Sequence, residues 1–161
     1  MMNKYKLILG ALLIMVFSVF TSCDEGGDPD PGATSVVEMA GDWFVQLEGQ
    51  GSYYLISTYN TAADNGTEMW IDDNKNFWWF KAKTSVNTSA LSFSGSDLAS
   101  TVDGYDILVS ISNGIISKGT ATTSGGNISD SISFDIEFSD DPGTIYQLVG
   151  YKRTGFQEDE H

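Results

Sequence analysis

The residues best suited to bind or transform a small molecule are concentrated in residues 69–83. Three of the four tryptophans of the chain fall there, and Lys81 and Lys83 belong to the same stretch. Aromatic rings offer flat apolar surfaces, and a lysine beside them suits an acyl chain with an anionic head. Rings alone would suit a sugar or a flat hydrophobic molecule. The ligand-binding residues that we predict are Trp70, Phe77, Trp78, Trp79, Phe80, Lys81 and Lys83.

The elements that must position these side chains are two strands joined by the polar turn at residues 73–76. Successive strand residues point to opposite faces, so Trp78 and Phe80 are expected on one face and Phe77 and Trp79 on the other. The two lysines would continue the second face, and we therefore expect Trp79 with the lysines to meet a ligand. The alternative is that the rings simply fill a hydrophobic core, the more common fate of such residues.

Nucleophilic catalysis finds little support in the sequence. The only histidine, His161, is the last residue and is expected at a frayed terminus, too far from the domain for a Ser-His-Asp arrangement. A serine activated by Lys81 or Lys83 is the remaining option, and no Gly-Xaa-Ser-Xaa-Gly elbow is present. Asp135 and Glu137 alternate with apolar residues, which predicts a solvated outer face. We predict no catalytic residue.

A metal site is also not predicted. The spacing of Asp72, Asn74 and Asn76 is similar to the start of a calcium-binding loop, but Phe77 and Lys83 stand where that loop needs glycine and glutamate. The pattern therefore favours a hairpin turn. The single cysteine, Cys23, excludes disulfides and cysteine metal clusters from the domain. We expect no cofactor.

The N-terminal residues predict export and lipid anchoring. Lys4 and Lys6 precede an apolar run at residues 7–20, shorter than the roughly 20 residues of a membrane-spanning helix. The run ends near Cys23, in a pattern similar to a bacterial lipobox. We predict a signal peptide at residues 1–22, a lipidated Cys23 with an acidic tether to residue 35, and one domain at residues 36–161. The predicted location is the outer membrane of a bacterial cell envelope, and the domain could also be exposed on the cell surface.

The charge of the chain excludes one class of partner. Eight basic residues less Lys4 and Lys6 leave six against 22 acidic residues, so cleavage would change the formal charge from −14 to −16. Nucleic-acid affinity depends largely on lysine and arginine contacts to phosphates, so no nucleic acid is expected. The same charge keeps the domain away from anionic headgroups, which leaves Cys23 as the membrane attachment. The sequence names no protein partner.

The fold class follows from short alternating strands separated by turn residues. The clearest strand alternates Ile132, Phe134, Ile136 and Phe138 with polar residues, and Asn113-Gly114 predicts a type I′ hairpin turn. We expect eight or nine antiparallel strands. Closing such a meander removes its exposed edges, which favours an up-and-down β-barrel over a sandwich.

Two elements at the ends of the domain resemble the lipocalin and calycin signature. They are Gly41-Asp42-Trp43 in the first strand and Arg153 near the end of the last. That resemblance implies that Trp43 closes one end of the barrel and that Arg153 stacks over it in a cation–π contact.

Further segments are similar to a family of calycin-like bacterial lipoproteins called lipid-binding putative hydrolases. They are residues 59–61, 69–72, 77–78, 140–142 and 153–156. The resemblance implies a lipid-anchored barrel that binds a small hydrophobic or amphipathic molecule. Two alternatives stay open, namely a surface module that contacts a protein or glycan through the aromatic hairpin, and a weak hydrolase.

Overall fold

The computed structural model of the chain describes residues 32–48 and 51–161. Residues 33–161 form one compact unit. The predicted signal peptide and the predicted lipidation at Cys23 lie outside the described residues, as does most of the tether. Within the described ranges no helix is both long and apolar enough to cross a membrane.

The unit consists of eight strands and two short 3-10 helices. One helix, Val37–Met39, precedes the strands, and the other, Gln157–Asp159, follows them. The strands are β1 (Gly41–Leu47), β2 (Tyr54–Asn60), β3 (Glu68–Asp72), β4 (Lys81–Asn87), β5 (Ser92–Ala99), β6 (Leu108–Thr122), β7 (Ile128–Phe138) and β8 (Tyr146–Lys152).

The strands form a closed barrel in sequence order, and each pairs antiparallel with the next. β8 closes the barrel against β1, where Trp43 lies opposite Lys152 and Leu47 opposite Leu148. The predicted up-and-down barrel is therefore confirmed, with eight strands. Because the sheet closes on itself between residues 41 and 152, the chain from residue 33 onward contains every strand that the barrel needs.

The core follows from the alternation of apolar and polar residues along each strand. In β7 the side chains of Ile132, Phe134, Ile136 and Phe138 are buried while their neighbours are half-buried. Similar inward residues from all eight strands join one hydrophobic cluster inside the barrel, with Trp43 and Phe80 among its largest members. Alternation with period two thus places one side of each strand in the core.

The Asn113-Gly114 hairpin prediction is wrong. These residues lie inside the continuous strand β6, at a point where the register against β7 shifts between Ser112 and Ile115. Asn113 has a φ of 54°, and a Cβ at Gly114 would lie 2.3 Å from the Phe93 carbonyl oxygen. The pair therefore forms a β-bulge, which uses the same left-handed backbone freedom as a turn without reversing the chain.

The aromatic hairpin is also different from the prediction. β3 ends at Asp72 and β4 begins at Lys81, so residues 73–80 form a loop and not a four-residue turn between long strands. We call residues 73–80 the aromatic loop. It lies at the same end of the barrel as the β5–β6 and β7–β8 connections, and the first 3-10 helix lies at the opposite end.

Trp43 is completely buried, and Lys152, not Arg153, is the cation beside it. The Lys152 Nζ lies 5.8 Å from the ring centroid, and the indole Nε1 donates a 2.8 Å hydrogen bond to the Thr58 hydroxyl. Arg153 instead pairs with Glu160 at 2.7 Å. The correction is a matter of register, because Lys152 is directly opposite Trp43 and a shift of one residue reverses the face.

His161 is docked and not frayed. Its ring stacks on Tyr53 with centroids 3.9 Å apart, contacts Phe44 edge-on, and hydrogen-bonds the Tyr151 hydroxyl. The segment that precedes it, residues 154–160, returns along the barrel and places the Asp159 side chain fully out of solvent. We call residues 154–161 the C-terminal tail.

Candidate functional site

The buried carboxylate of Asp73 organises the aromatic loop. It is 1% exposed and accepts backbone hydrogen bonds from Lys75, Phe77, Trp78, Trp79 and Phe80, most of them at 2.7–3.3 Å. A loop of this shape leaves N–H groups without strand partners, and the side chain of a single residue satisfies five of them. The loop geometry therefore depends on one residue.

The backbone of the loop is held in a conformation that few side chains adopt. Asn74, Lys75 and Trp79 have positive φ values of 51°, 64° and 64°. Such values are uncommon outside glycine and persist only where surrounding contacts enforce them. The side-chain amides of Asn74 and Asn76 add hydrogen bonds to the Leu55 carbonyl oxygen near the start of β2.

Phe77 and Trp78 point to the same side of the loop, contrary to the prediction. The Trp78 ring stacks on Phe138 with centroids 4.6 Å apart, and Phe77 lies 6.1 Å from the same ring. Both also contact Tyr146. The alternation that we expected applies to extended strands, and the turns at residues 73–76 together with the positive φ at Trp79 break it. These two rings cover the end of the barrel.

Asp140 connects the aromatic loop to its neighbours. Its carboxylate accepts a 3.1 Å hydrogen bond from the Trp78 indole and a short one from the Tyr105 hydroxyl. The bond from Tyr105 lowers the pKa of Asp140 below its usual value, and the same bond raises the pKa of Tyr105. Three connections at this end of the barrel are thus tied together through one carboxylate.

A groove of about 450 Å³ opens beside the aromatic loop on the outer wall of the barrel. Trp79, which is 42% exposed, forms one wall and stacks on Tyr105 at 6.1 Å. The Lys75 Nζ lies 5.0 Å from the Trp79 ring centroid. The full lining, which we call the Trp79 groove, is Asp72, Asn74, Lys75, Trp79, Lys81, Thr101, Val102 and Asp103.

A second aromatic–lysine arrangement adjoins the groove on the outer face of β2, β3 and β4. Lys81 and Lys83 lie 5.0 Å and 5.6 Å from the Trp70 ring, and Lys81 also approaches the Tyr59 ring. The contact with the Tyr59 hydroxyl raises the pKa of Lys81 further above its usual value, so this amine is cationic at neutral pH. Burial raises the pKa of Tyr59.

The predicted ligand-binding residues therefore divide into two groups. Trp79 and Lys81 share the groove, with Trp70 and Lys83 on the adjoining wall. Phe77, Trp78 and Phe80 belong to the core or pack against it. Sequence reasoning missed Lys75, Asp103 and the organising role of Asp73, because all three looked like ordinary polar loop residues. The positive φ values at Lys75 and Trp79 give no sequence signal, since these residue types seldom adopt the left-handed region.

The residues weighed for hydrolysis and metal binding have structural partners. Asp135 accepts a hydrogen bond from the Asn113 amide, and Glu137 accepts one from the Gly143 N–H. Asp72 and Asn74 hydrogen-bond within the turn. In the part of the chain that the structure describes, no group of three or more histidine, cysteine, aspartate and glutamate side chains is placed to hold a metal ion.

The closed eight-stranded meander, with Gly41-Asp42-Trp43 opening its first strand, defines a calycin-like barrel. Residues 28–157 match the family model described as lipid-binding putative hydrolase. Because the match covers most of the chain, the protein belongs to that family. No curated protein matches the chain.

Proposed function

We propose that the protein binds an amphipathic, lipid-like molecule in the Trp79 groove, on the outer wall of the barrel. The observation that carries this proposal is that the groove joins an exposed tryptophan to two lysines, Lys75 and Lys81. An aromatic wall contacts the apolar part of such a molecule, and the amines attract its charged head. The name of the family, which refers to lipid binding, agrees with this assignment.

An external binding site is favoured because large side chains occupy the inside of the barrel. The inward side chains, including Trp43, Phe80, Phe134 and Phe138, are fully buried against one another in a continuous cluster. Phe77 and Trp78 then cover the end of the barrel. An external site needs no rearrangement of this core, and a volume near 450 Å³ lies within the range of small-molecule pockets.

The distribution of basic residues supports a charged head at this site. Of the six basic residues beyond the predicted signal peptide, three are Lys75, Lys81 and Lys83. All three lie beside Trp79 or Trp70. In a chain with 22 acidic residues, half of these six basic residues are therefore grouped around two tryptophans, where Lys81 also pairs with Asp72 and Lys83 with Glu68.

Titration with soluble short-chain phospholipids tests the proposal. We would use residues 24–161, which contain the complete barrel, and follow tryptophan fluorescence. Trp79→Ala should weaken binding about fivefold, because an aromatic contact contributes about 0.5–1.5 kcal/mol. Ile128→Ala is the matched control, since Ile128 is an exposed apolar residue outside the groove lining.

Two results would contradict the proposal. One is the absence of any fluorescence or calorimetric response of the intact barrel to the lipids. The other is equal affinity in Trp79→Ala and Ile128→Ala, which would place the contact elsewhere. Calorimetry is needed as the second readout because Trp79→Ala also removes a fluorophore.

A second candidate function is contact with a glycan through the same exposed ring. Trp79 is 42% exposed, and the cluster of buried side chains inside the barrel favours recognition on the outside of the barrel. Sugar rings stack on such a wall and hydrogen-bond to carboxylates such as Asp103. Binding of neutral oligosaccharides with no response to phospholipids would select this function.

Lipid anchoring at Cys23 forms the second part of the proposal. The position of Cys23 after the apolar run supports it, as do the acidic residues that follow. Attachment of several acyl chains would hold the protein at the outer membrane, because each buried methylene contributes about 0.8 kcal/mol. Cys23→Ser should abolish the acyl mass seen by mass spectrometry of the protein from a bacterial host, and a variant that is still acylated would disprove the anchor.

A further inference from the structure

We propose that the Trp79 groove recognises a zwitterionic head in which a phosphate is joined to a primary ammonium, as in phosphoethanolamine. This inference rests on the proposed lipid binding and names the chemistry of the head. The groove lining contains two lysines, Lys75 and Lys81, and two carboxylates, Asp72 and Asp103. A site with both signs of charge is complementary to a ligand with both signs.

One pair of these charges is already engaged within the protein. The Lys81 Nζ lies 3.7 Å from the Asp72 carboxylate. The same carboxylate accepts hydrogen bonds from the Tyr59 hydroxyl and the Asn74 backbone N–H. These contacts hold Asp72 and Lys81 as part of the wall, so they leave the recognition of a ligand mainly to the other two charges.

Lys75 and Asp103 are the charges that are free to meet a ligand. Among the described residues, no carboxylate forms an ion pair with Lys75, whose amine lies over the Trp79 ring. No described group forms a hydrogen bond or ion pair with the Asp103 side chain, which is exposed in the β5–β6 connection. One unpaired cation and one unpaired anion therefore line the same groove.

A purely anionic head fits this arrangement less well than a zwitterion. A phosphate or carboxylate near Lys75 would also lie in a groove with Asp72 and Asp103, and like charges disfavour binding. An ammonium on the same head converts the repulsion from Asp103 into an attraction, while Lys75, which lies over the Trp79 ring, meets the phosphate. The acyl part of the molecule would then extend along Val102 and Trp79.

The experiment compares two short-chain lipids with identical dihexanoyl chains, one with a phosphoethanolamine head and one with a phosphoglycerol head. Both are titrated as monomers into residues 24–161 with fluorescence and calorimetric detection. The phosphoethanolamine lipid should bind about threefold more tightly, as an exposed ion pair contributes up to about a fivefold change.

Asp103→Asn should remove this preference by strengthening binding of the phosphoglycerol lipid. Asp106→Asn, an exposed carboxylate of the same connection outside the groove lining, should leave the preference unchanged.

The outcomes separate this inference from the proposed function. If both lipids bind equally and Asp103→Asn leaves their ratio unchanged, the zwitterion inference is wrong and lipid binding stands. If neither lipid binds, lipid binding itself is wrong. If free phosphoethanolamine binds as tightly as the lipid that carries it, the zwitterionic chemistry is supported and its source is a soluble molecule.

Discussion

Two buried aspartates hold the two irregular segments of this barrel, and they do so in different ways. Asp73 accepts five hydrogen bonds from the backbone of its own loop, all within seven residues of it. Asp159 accepts hydrogen bonds from the Thr123 hydroxyl, the Asn127 amide and the Gly125 N–H, more than thirty residues away, and from the nearby Thr154 hydroxyl.

The difference determines what each segment can do. The Asp73 contacts fix the shape of the aromatic loop itself, including the position of Trp79 in the groove. The Asp159 contacts fix where a tail lies on a barrel that is already closed. Loss of Asp73 should therefore change the candidate site, and loss of Asp159 should release a segment while the site stays intact. The predictions below test this contrast in order of expected effect.

Asp73→Ala should have the largest effect, a loss of about 3 kcal/mol or more in the free energy of unfolding. Hydrogen bonds to a charged group contribute about 1.5–3 kcal/mol each, and several are lost together, although water will replace part of them. Urea unfolding followed by circular dichroism measures the loss. Binding of the short-chain lipids should fall as well, because Trp79 is no longer held.

Asp73→Asn provides the isosteric control for that experiment. The amide has the same size and keeps one acceptor oxygen, but its NH2 group faces backbone donors. We expect a smaller loss of stability than in Asp73→Ala. If Asp73→Ala unfolds at the same urea concentration as the parent, the organising role of Asp73 is wrong.

Asp159→Asn should release the C-terminal tail without opening the barrel. In the parent, both carboxylate oxygens of Asp159 accept hydrogen bonds, which come from Thr123, Thr154, Gly125 and Asn127. The asparagine amide has only one acceptor oxygen, so it cannot accept all of them. Amide hydrogen exchange in residues 154–161 should rise to the rate of a free peptide, and exchange in β3 and β4 should not change. Loss of protection throughout the barrel would show that the tail is part of the cooperative core.

Acid should release the tail in the same way. Burial would raise the pKa of Asp159, but the hydrogen bonds from Thr123, Thr154, Asn127 and Gly125 outweigh it and hold the pKa below the usual value of 3.8. The docked tail is thus stabilised above pH 3.8, and this stabilisation is lost as the pH falls through the lowered pKa. Protection factors of the tail amides, which correct for the pH dependence of intrinsic exchange, should be lower at pH 3 than at pH 5 in the parent and should not differ between the two pH values in Asp159→Asn.

The contrast also explains which parts of the fold the sequence predicts. The strands are predicted by the alternation of apolar and polar residues, as in β7. Closure of the meander into a barrel is predicted because it removes exposed strand edges. Phe80 and Lys81 point to opposite sides as predicted, because β4 is regular from Lys81 onward. The seven residues from Asp73 to Trp79 show no alternation of apolar and polar side chains. Their conformation depends instead on the hydrogen bonds that their backbone N–H groups donate to the Asp73 carboxylate.

The tail was unpredictable for a similar reason. Its sequence is acidic and polar, which is typical of a solvated terminus. Its docking depends on Thr123, Gly125 and Asn127, which come together only when the β6–β7 connection has formed. A Cβ at Gly125 would lie 2.4 Å from the Asp159 carboxylate, so the tail can dock only because residue 125 has no side chain. Long-range complementarity of this kind has no local signature.

The smallest effect is expected at the junction of barrel and tail, where Lys152 and Arg153 are adjacent but belong to different segments. Lys152 lies beside Trp43 inside the end of the barrel, and Lys152→Ala should lower stability by about 1 kcal/mol through the lost cation–π contact. Arg153 pairs with Glu160 at the exposed surface, so Arg153→Ala should leave both unfolding and tail exchange nearly unchanged. In a double-mutant cycle with Trp43→Phe, only Lys152→Ala should show coupling in urea unfolding. Coupling of Arg153 to Trp43 instead would restore the arrangement implied by the lipocalin resemblance and would make our assignment of the two residues wrong.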